Sequence, residues 1–258
     1  MPPVIKAATS RDALLGGRVT IIQPENGYRA AIDPLLLAAS VPAKSGETVL
    51  DLGSGTGAAA LALAARVDGV NVVGLEAQGA LVALARKSAE ESGLSDRVTF
   101  VEGDLLSMPA DFPATFDHVI ANPPYLAAGG GNPPPDVAKR AATVEGEAVL
   151  SDWLKVAQAM AGDGASISVI HRFDRKQEVA DGLAEGAGNI VVFPLWVKEA
   201  GKDAKRVIVQ AWKGKGGELR AAPRTAPRTA KGLVLHQANG DFTPEAEAVL
   251  RDAQSIRL

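Results

Sequence analysis

The sequence predicts an α/β fold: a seven-stranded, mostly parallel sheet with an antiparallel last strand, helices on both faces, a short N-terminal flap and a C-terminal extension. Three observations predict it. Strand and helix patterns alternate from Thr48 to Trp212, as in a parallel sheet whose crossovers are helices. A glycine turn, Asp51 to Gly57, joins the first of these strands to the first helix. The connection between the last two strands, Val197 to Lys205, is polar and too short for a crossover helix, so those strands run antiparallel.

Apolar runs bounded by Gly or polar residues place strands at Thr48–Leu52, Asn71–Leu75, Val98–Glu102, Asp117–Ala121, Ala165–His171, Ile190–Trp196 and Arg206–Trp212. Helical spacing places helices at Ala58–Val67, Gly79–Ser92, Glu147–Met160 and Arg175–Glu185. Ahead of them, Gly17–Ile22 reads as a short strand. Asp33–Ser40 reads as a helix capped by Asp33, with Pro34 at its first position. A last helix starts at Thr243-Pro244-Glu245. Gly214 to Lys231 repeats Ala-Pro-Arg-Thr at Ala222–Thr225 and Ala226–Thr229, the composition of an extended or mobile spacer. The organisation is thus a flap and helix over 1–45, a core domain over 46–213, and a basic linker with a helix over 214–258.

The chain has 258 residues and 47% hydrophobic content, enough to bury one large core. It has no cysteine, which excludes disulfides, thiolate zinc sites and a cysteine nucleophile. Its three histidines are too few and scattered for a metal cluster, so no metal is expected; His118 and His171 read as hydrogen-bonded core or rim residues. Met1 to Leu15 lacks the apolar stretch of a signal peptide and no segment is long enough to cross a bilayer, so the expected location is the cytoplasm. The net charge of −3 is uneven: Lys198 to Lys231 carries ten Lys or Arg against three acids, a local +7 that leaves −10 elsewhere. Such a block either contacts phosphates or is a solvated tail.

Two segments carry chemistry. In Asp51-Leu52-Gly53-Ser54-Gly55-Thr56-Gly57, bare backbone approaches a ligand at the carboxyl edge of the sheet, as a nucleotide-like cofactor requires. Glu76 ends the second strand, where a carboxylate accepts from two ribose hydroxyls, and Asp104 ends the third, beside an adenine amine. Asn122-Pro123-Pro124-Tyr125 directly follows the fourth strand. A planar nitrogen is a poor nucleophile because its lone pair is delocalised. A carboxamide oxygen (Asn122) and a proline carbonyl (Pro123) accept its two hydrogens and localise that pair, and the consecutive prolines hold both acceptors in place. Tyr125 offers a flat face for stacking. Beyond it, Ala127 to Ala142, with three glycines, three prolines, Lys139 and Arg140, is a candidate substrate clamp. Gly53, Gly55 and Ala58 also fit a dinucleotide pattern, so a dehydrogenase is the rival class. The expected antiparallel strand and the Asn-Pro-Pro-Tyr segment have no place in it.

Across Thr48 to Trp212 the chain resembles the class I S-adenosylmethionine-dependent methyltransferases of the amino-methylating type, a Rossmann-like fold. The resemblance implies S-adenosylmethionine as cofactor, held by Asp51, Gly53, Gly55 and Gly57, by Glu76 at the ribose, and by Asp104 with Leu105 at the adenine. It implies Asn122, Pro123, Pro124 and Tyr125 as the catalytic segment, with Asn122 also facing the cofactor. The N-terminal stretch, including Gln23-Pro24 and Gly27-Tyr28-Arg29-Ala30-Ala31-Ile32-Asp33-Pro34-Leu35-Leu36-Leu37, is similar to the bacterial valine-tRNA adenine-N(6) methyltransferases. There this segment lies against the methionine end of the cofactor, which implies that Asp33, with Tyr28 and Arg29, lines the site. The partner implied is RNA, with tRNA first. A protein glutamine amide and a guanine amine remain the alternative acceptors, and a non-catalytic RNA-binding protein the alternative class.

Overall fold

The computed structural model describes residues 8–25, 29–113, 115–126, 146–202, 204–214 and 226–258. Five strands run parallel at its centre: β3 (Thr48–Leu52), β4 (Asn71–Glu76), β5 (Val98–Glu102), β6 (Phe116–Ala121) and β7 (Ala161–Arg172). β8 (Gly188–Trp196) and β9 (Ala204–Trp212) complete a spatial order β8-β9-β7-β6-β3-β4-β5, in which β9 is antiparallel to both β7 and β8. The sheet therefore has the expected seven long strands with the last reversed, and it also has two short strands the sequence did not suggest. β10 (Arg228–Thr229) and β11 (Leu233–Val234) pair in parallel with the outer edge of β8. Within the Gly214 to Lys231 segment, Arg228–Thr229 is thus extended, as expected, but docked on the sheet rather than mobile.

Side chains alternate between two cores, one per face, as period-2 strands require. Val49, Ile120 and Ile170 pack with α1 (Asp33–Ala39), α2 (Ala58–Arg66) and α3 (Gly79–Glu91). Leu50, Leu52, Val119 and Ala121 pack with α4 (Leu150–Met160) and α5 (Lys176–Leu183) on the other face. Because both faces are covered, the central strands read as nearly unbroken apolar runs. α2 is Ala and Leu on every side, and Ala58 to Ala64 are all buried, so this helix sits inside the fold.

The flap is a hairpin of β1 (Thr9–Leu14) and β2 (Val19–Pro24); the second strand was expected, the first was not. Its Thr20 and Ile22 N–H groups donate to Ser92 and Ser88 of the α3 region at 3.0 and 2.9 Å. α6 (Pro244–Leu250) begins as expected, with Thr243 Oγ1 accepting from the Ala246 N–H at 3.1 Å. The extension is tied back to the core by Arg66 donating to the Val249 carbonyl at 2.7 Å and by Ile256 N–H donating to Ala39. Among the described residues no helix is long and apolar enough to cross a membrane.

Candidate active site

The carboxyl ends of β3, β4, β5 and β6 surround a cavity of about 410 Å³, within the range of small-molecule sites. Its wall contains Asp51, Gly53, Ser54 and Gly55 from the first turn, Glu76 from β4, Asp104 and Leu105 after β5, and Asn122 to Tyr125 after β6. Gly57 and Asp33 do not line it. Gly57 (φ +88°) precedes α2, and a Cβ there would sit 2.5 Å from the Phe100 ring, so this glycine serves the turn and its packing. Gly53 (φ +67°) lies under the Trp153 ring, which a Cβ would meet at 2.4 Å.

Glu76, 8% exposed, accepts from the Gly55 N–H at 3.0 Å and the Gln78 N–H at 2.9 Å. The Gln78 side-chain amide also donates to it at 3.3 Å, so about one of the carboxylate's roughly four acceptor positions remains for a ligand. Asp104 is exposed at the rim and turns its own loop by accepting from Leu106 N–H at 2.9 Å. Asp51, 2% exposed, accepts from the Ala60 N–H at 3.2 Å. Burial pushes its carboxyl up to about 7, with Ala60 opposing and nearby Glu76 adding to the rise. Two cavity-lining groups that sequence reasoning missed, Ser54 Oγ and Trp153 Nε1, are buried with no hydrogen-bond partner. Orphaned donors of this kind fit a polar ligand that would satisfy them.

Asn122 and Tyr125 stand together at the end of β6. The Tyr125 hydroxyl is 2.7 Å from Asn122 Oδ1 and 2.7 Å from Asp33 Oδ2. Asp33 also accepts from Arg206 Nε at 2.7 Å, and the Arg206 guanidinium lies over the Tyr125 ring, 4.2 Å from its centroid. Burial lowers the Arg206 pKa, but Asp33 and Tyr125 more than restore it, so the net direction is up and the cation is fixed. Asp33 does not cap α1: the N-cap is Ile32, and the Asp33 carboxylate is taken by Tyr125 and Arg206.

His171, at the end of β7, meets the Tyr125 ring edge to face at 5.4 Å. It is fully buried, and neither ring nitrogen makes a hydrogen bond of normal geometry, which corrects the expectation of a hydrogen-bonded residue. Burial, reinforced by Arg175, pushes its pKa down to about 4; the Pro124 carbonyl nearby opposes weakly. His118 does match the expectation, with Ser166 at 2.7 Å and Glu47 at 2.9 Å. Arg29 does not line the cavity, though its neighbour Ala30 does, and it is bound to Asp12 at 2.6 Å. Tyr28 and the proposed clamp from Ala127 lie outside the described residues.

Residues 43–179 match the model of the methyltransferase domain family. The chain belongs to that family. It is an S-adenosylmethionine-dependent methyltransferase, and the orphaned donors, glycine turn and acidic rim fit that cofactor. The methyltransferase is 29% identical over 218 residues to the tRNA1(Val) (adenine(37)-N6)-methyltransferase of Actinobacillus pleuropneumoniae, covering 82% of this chain and 84% of the relative. A release factor glutamine methyltransferase of Chlorobaculum tepidum is 35% identical, over only 35% of this chain and 32% of its own. Among solved structures, a predicted O-methyltransferase of Agrobacterium tumefaciens superposes with a TM-score of 0.68 at 25% identity, covering 88% of this chain and 99% of the other.

Proposed function

We propose that this methyltransferase transfers a methyl group to the exocyclic N6 amine of an adenine in RNA, with tRNA the first candidate. The observation that carries the reading is the Asn122 carboxamide and the Tyr125 ring, set together at the cavity mouth and braced from behind by Asp33 and Arg206. Support comes from relatives named for adenine-N6 methylation of tRNA, which match over most of the chain, whereas the glutamine methyltransferases match about a third.

Bound S-adenosylmethionine supplies an electrophilic methyl on a sulfonium. Gly53 and Gly55 would lie against it with bare backbone, Glu76 would take a ribose hydroxyl, and Asp104 and Leu105 would hold the adenine end. Ser54 Oγ and Trp153 Nε1 would gain the partners they lack. At the acceptor, Asn122 Oδ1 and the Pro123 carbonyl accept the two amine hydrogens and concentrate the lone pair toward the methyl. The Arg206 guanidinium lies over the Tyr125 ring and steadies it for stacking on the target base. Once the amine nitrogen has taken the methyl that the bound cofactor would supply, it would release a proton to solvent, so no strong base is needed. An anticodon-loop base is already unstacked and extrudes at little cost. In this scheme residues 46–213 are the catalytic domain, 1–45 the flap that supplies Asp33, and 214–258 an extension braced on β8.

The test incubates the purified protein and methyl-labelled S-adenosylmethionine separately with bulk tRNA, ribosomal RNA and cell protein. Label in tRNA, recovered as N6-methyladenine and lost with Asn122→Ala, is the expected result. Label in protein alone overturns the reading in favour of a glutamine amide.

A further inference from the structure

Past Tyr125, the carboxyl edge of the sheet continues as a row of cations. β7 ends at Arg172, which is opposite Arg206 at the start of β9, and Arg206 in turn is opposite Leu195 near the end of β8. β11 pairs its Leu233 with Leu195, extending the edge by one strand. Four strand spacings of about 4.8 Å separate β6 from β11, so the edge runs roughly 19 Å from the cavity mouth.

Lys198, Lys202, Lys205 and Lys231 are exposed along it. Glu199 pairs with Lys202 at 3.0 Å and Asp174 pairs with Arg172 at 2.5 Å, but Lys205 and Lys231 have no carboxylate partner among the described residues. Lys198 Nζ donates to the Ala238 carbonyl at 3.2 Å, a neutral acceptor that leaves its charge uncompensated. The bed beneath is firm: Trp196 Nε1 donates to the Lys231 carbonyl at 3.0 Å, and Phe173 packs on Trp196 with centroids 5.8 Å apart. Lys176 adds a further cation, 4.4 Å over the Phe173 ring. A merely solvating set of lysines has no reason to collect on a sheet edge that continues the acceptor side of the site, while the chain outside Lys198–Lys231 carries −10.

We propose that the edge from Arg172 to Lys231 is a docking surface for the sugar-phosphate backbone of the RNA strand that flanks the target base. The strand leaves the cavity mouth and crosses β7, β9 and β8, and the contacts are to phosphates, so the surface selects polyanion and shape rather than base sequence. The inference rests on the RNA reading above, and its test is kept separate from methyl transfer.

The experiment measures binding of an unmodified tRNA transcript across a salt series, for the parent, for a Lys198→Gln, Lys205→Gln, Lys231→Gln triple variant, and for a control with Lys44→Gln, Lys87→Gln and Lys155→Gln elsewhere on the surface. The expected result is a Kd raised about tenfold or more and a log–log salt slope shallower by about 2 to 3, at roughly 0.7 to 0.9 for each phosphate no longer neutralised. S-adenosylmethionine affinity and turnover at saturating RNA stay at the parent's level, and the control behaves as the parent. A triple variant with the parent's Kd and slope overturns the surface, as does a parent that binds no RNA. If the parent binds RNA with the expected slope but methylates only protein, the surface stands and the adenine reading fails.

Discussion

Replacing Asp51 by asparagine is expected to stabilise the cofactor-free protein increasingly as pH rises from about 4 to about 7. Burial raises the folded-state carboxyl from 3.8 to about 7. A carboxyl so raised favours folding while it is protonated, below its unfolded pKa, and that contribution is lost as pH climbs through the folded value. Each pKa unit is worth about 1.4 kcal/mol, so the loss amounts to roughly 4 kcal/mol across the window. His171 works in the opposite sense, since burial holds it at about 4 against an ordinary 6.5. Its neutral form belongs to the fold, so its contribution is intact above pH 6.5 and falls by roughly 3 kcal/mol as pH drops toward 4. The two slopes oppose each other between about pH 4 and 6.5 and nearly cancel in the parent. Urea unfolding of the parent, Asp51→Asn and His171→Gln at half-unit pH steps reads the differences directly. The Asp51→Asn minus parent difference grows with pH, and the His171→Gln minus parent difference grows as pH falls. A pH-independent Asp51→Asn difference refutes the argument, because a carboxyl already ionised at pH 5 cannot produce the slope.

Asn122→Ala is expected to cut turnover by at least a hundredfold with S-adenosylmethionine affinity within about threefold of the parent, measured by single-turnover labelling and calorimetry, since it removes an acceptor aimed at developing charge. Tyr125→Phe keeps the stacking face and releases Asn122 Oδ1 from its 2.7 Å hydroxyl partner, so its turnover stays near the parent's, while Tyr125→Ala raises KM for RNA by removing stacking worth about 1 to 3 kcal/mol. Arg206→Gln leaves Asp33 without its cation and Tyr125 without its cover, and raises the KM for RNA about tenfold without changing cofactor affinity; Arg206→Lys recovers only part, because an ammonium cannot both pair with Asp33 and lie flat over the ring. Gly53→Ala forces a Cβ into the Trp153 ring at a left-handed φ and is expected to lower the melting temperature and weaken cofactor binding together, which thermal unfolding with and without S-adenosylmethionine resolves.

The central sheet was legible because its chemistry is local. Thr48–Leu52 and Val98–Glu102 are uninterrupted strand runs closed by glycine, and both appear with the expected ends. The cavity residues after β3, β4, β5 and β6 were legible for the same reason, since each follows directly on a readable strand. What escaped notice depends on distant partners. Asp33 was expected as a helix cap and, from the resemblance, at the cofactor, but its carboxylate answers to Tyr125 and Arg206, 92 and 173 positions away. Arg206 read only as the start of a strand, and nothing near it announces an aromatic ring beneath its guanidinium. β1 alternates exposed and half-buried residues with too few apolar side chains to stand out, while β10 and β11 are two-residue pairings whose register is set by the edge of β8. Ser54 and Trp153 gave no signal because an unsatisfied donor exists only once the cavity around it exists.

The reversal of the last strand has a consequence for biosynthesis. Every described residue lining the cofactor pocket lies upstream of position 154, but the guanidinium that steadies Tyr125 arrives on β9, which inserts between β7 and β8 only after both have emerged. A nascent chain can therefore shape its nucleotide pocket while its acceptor corner is still loose, and competence for transfer comes with the closing of the sheet.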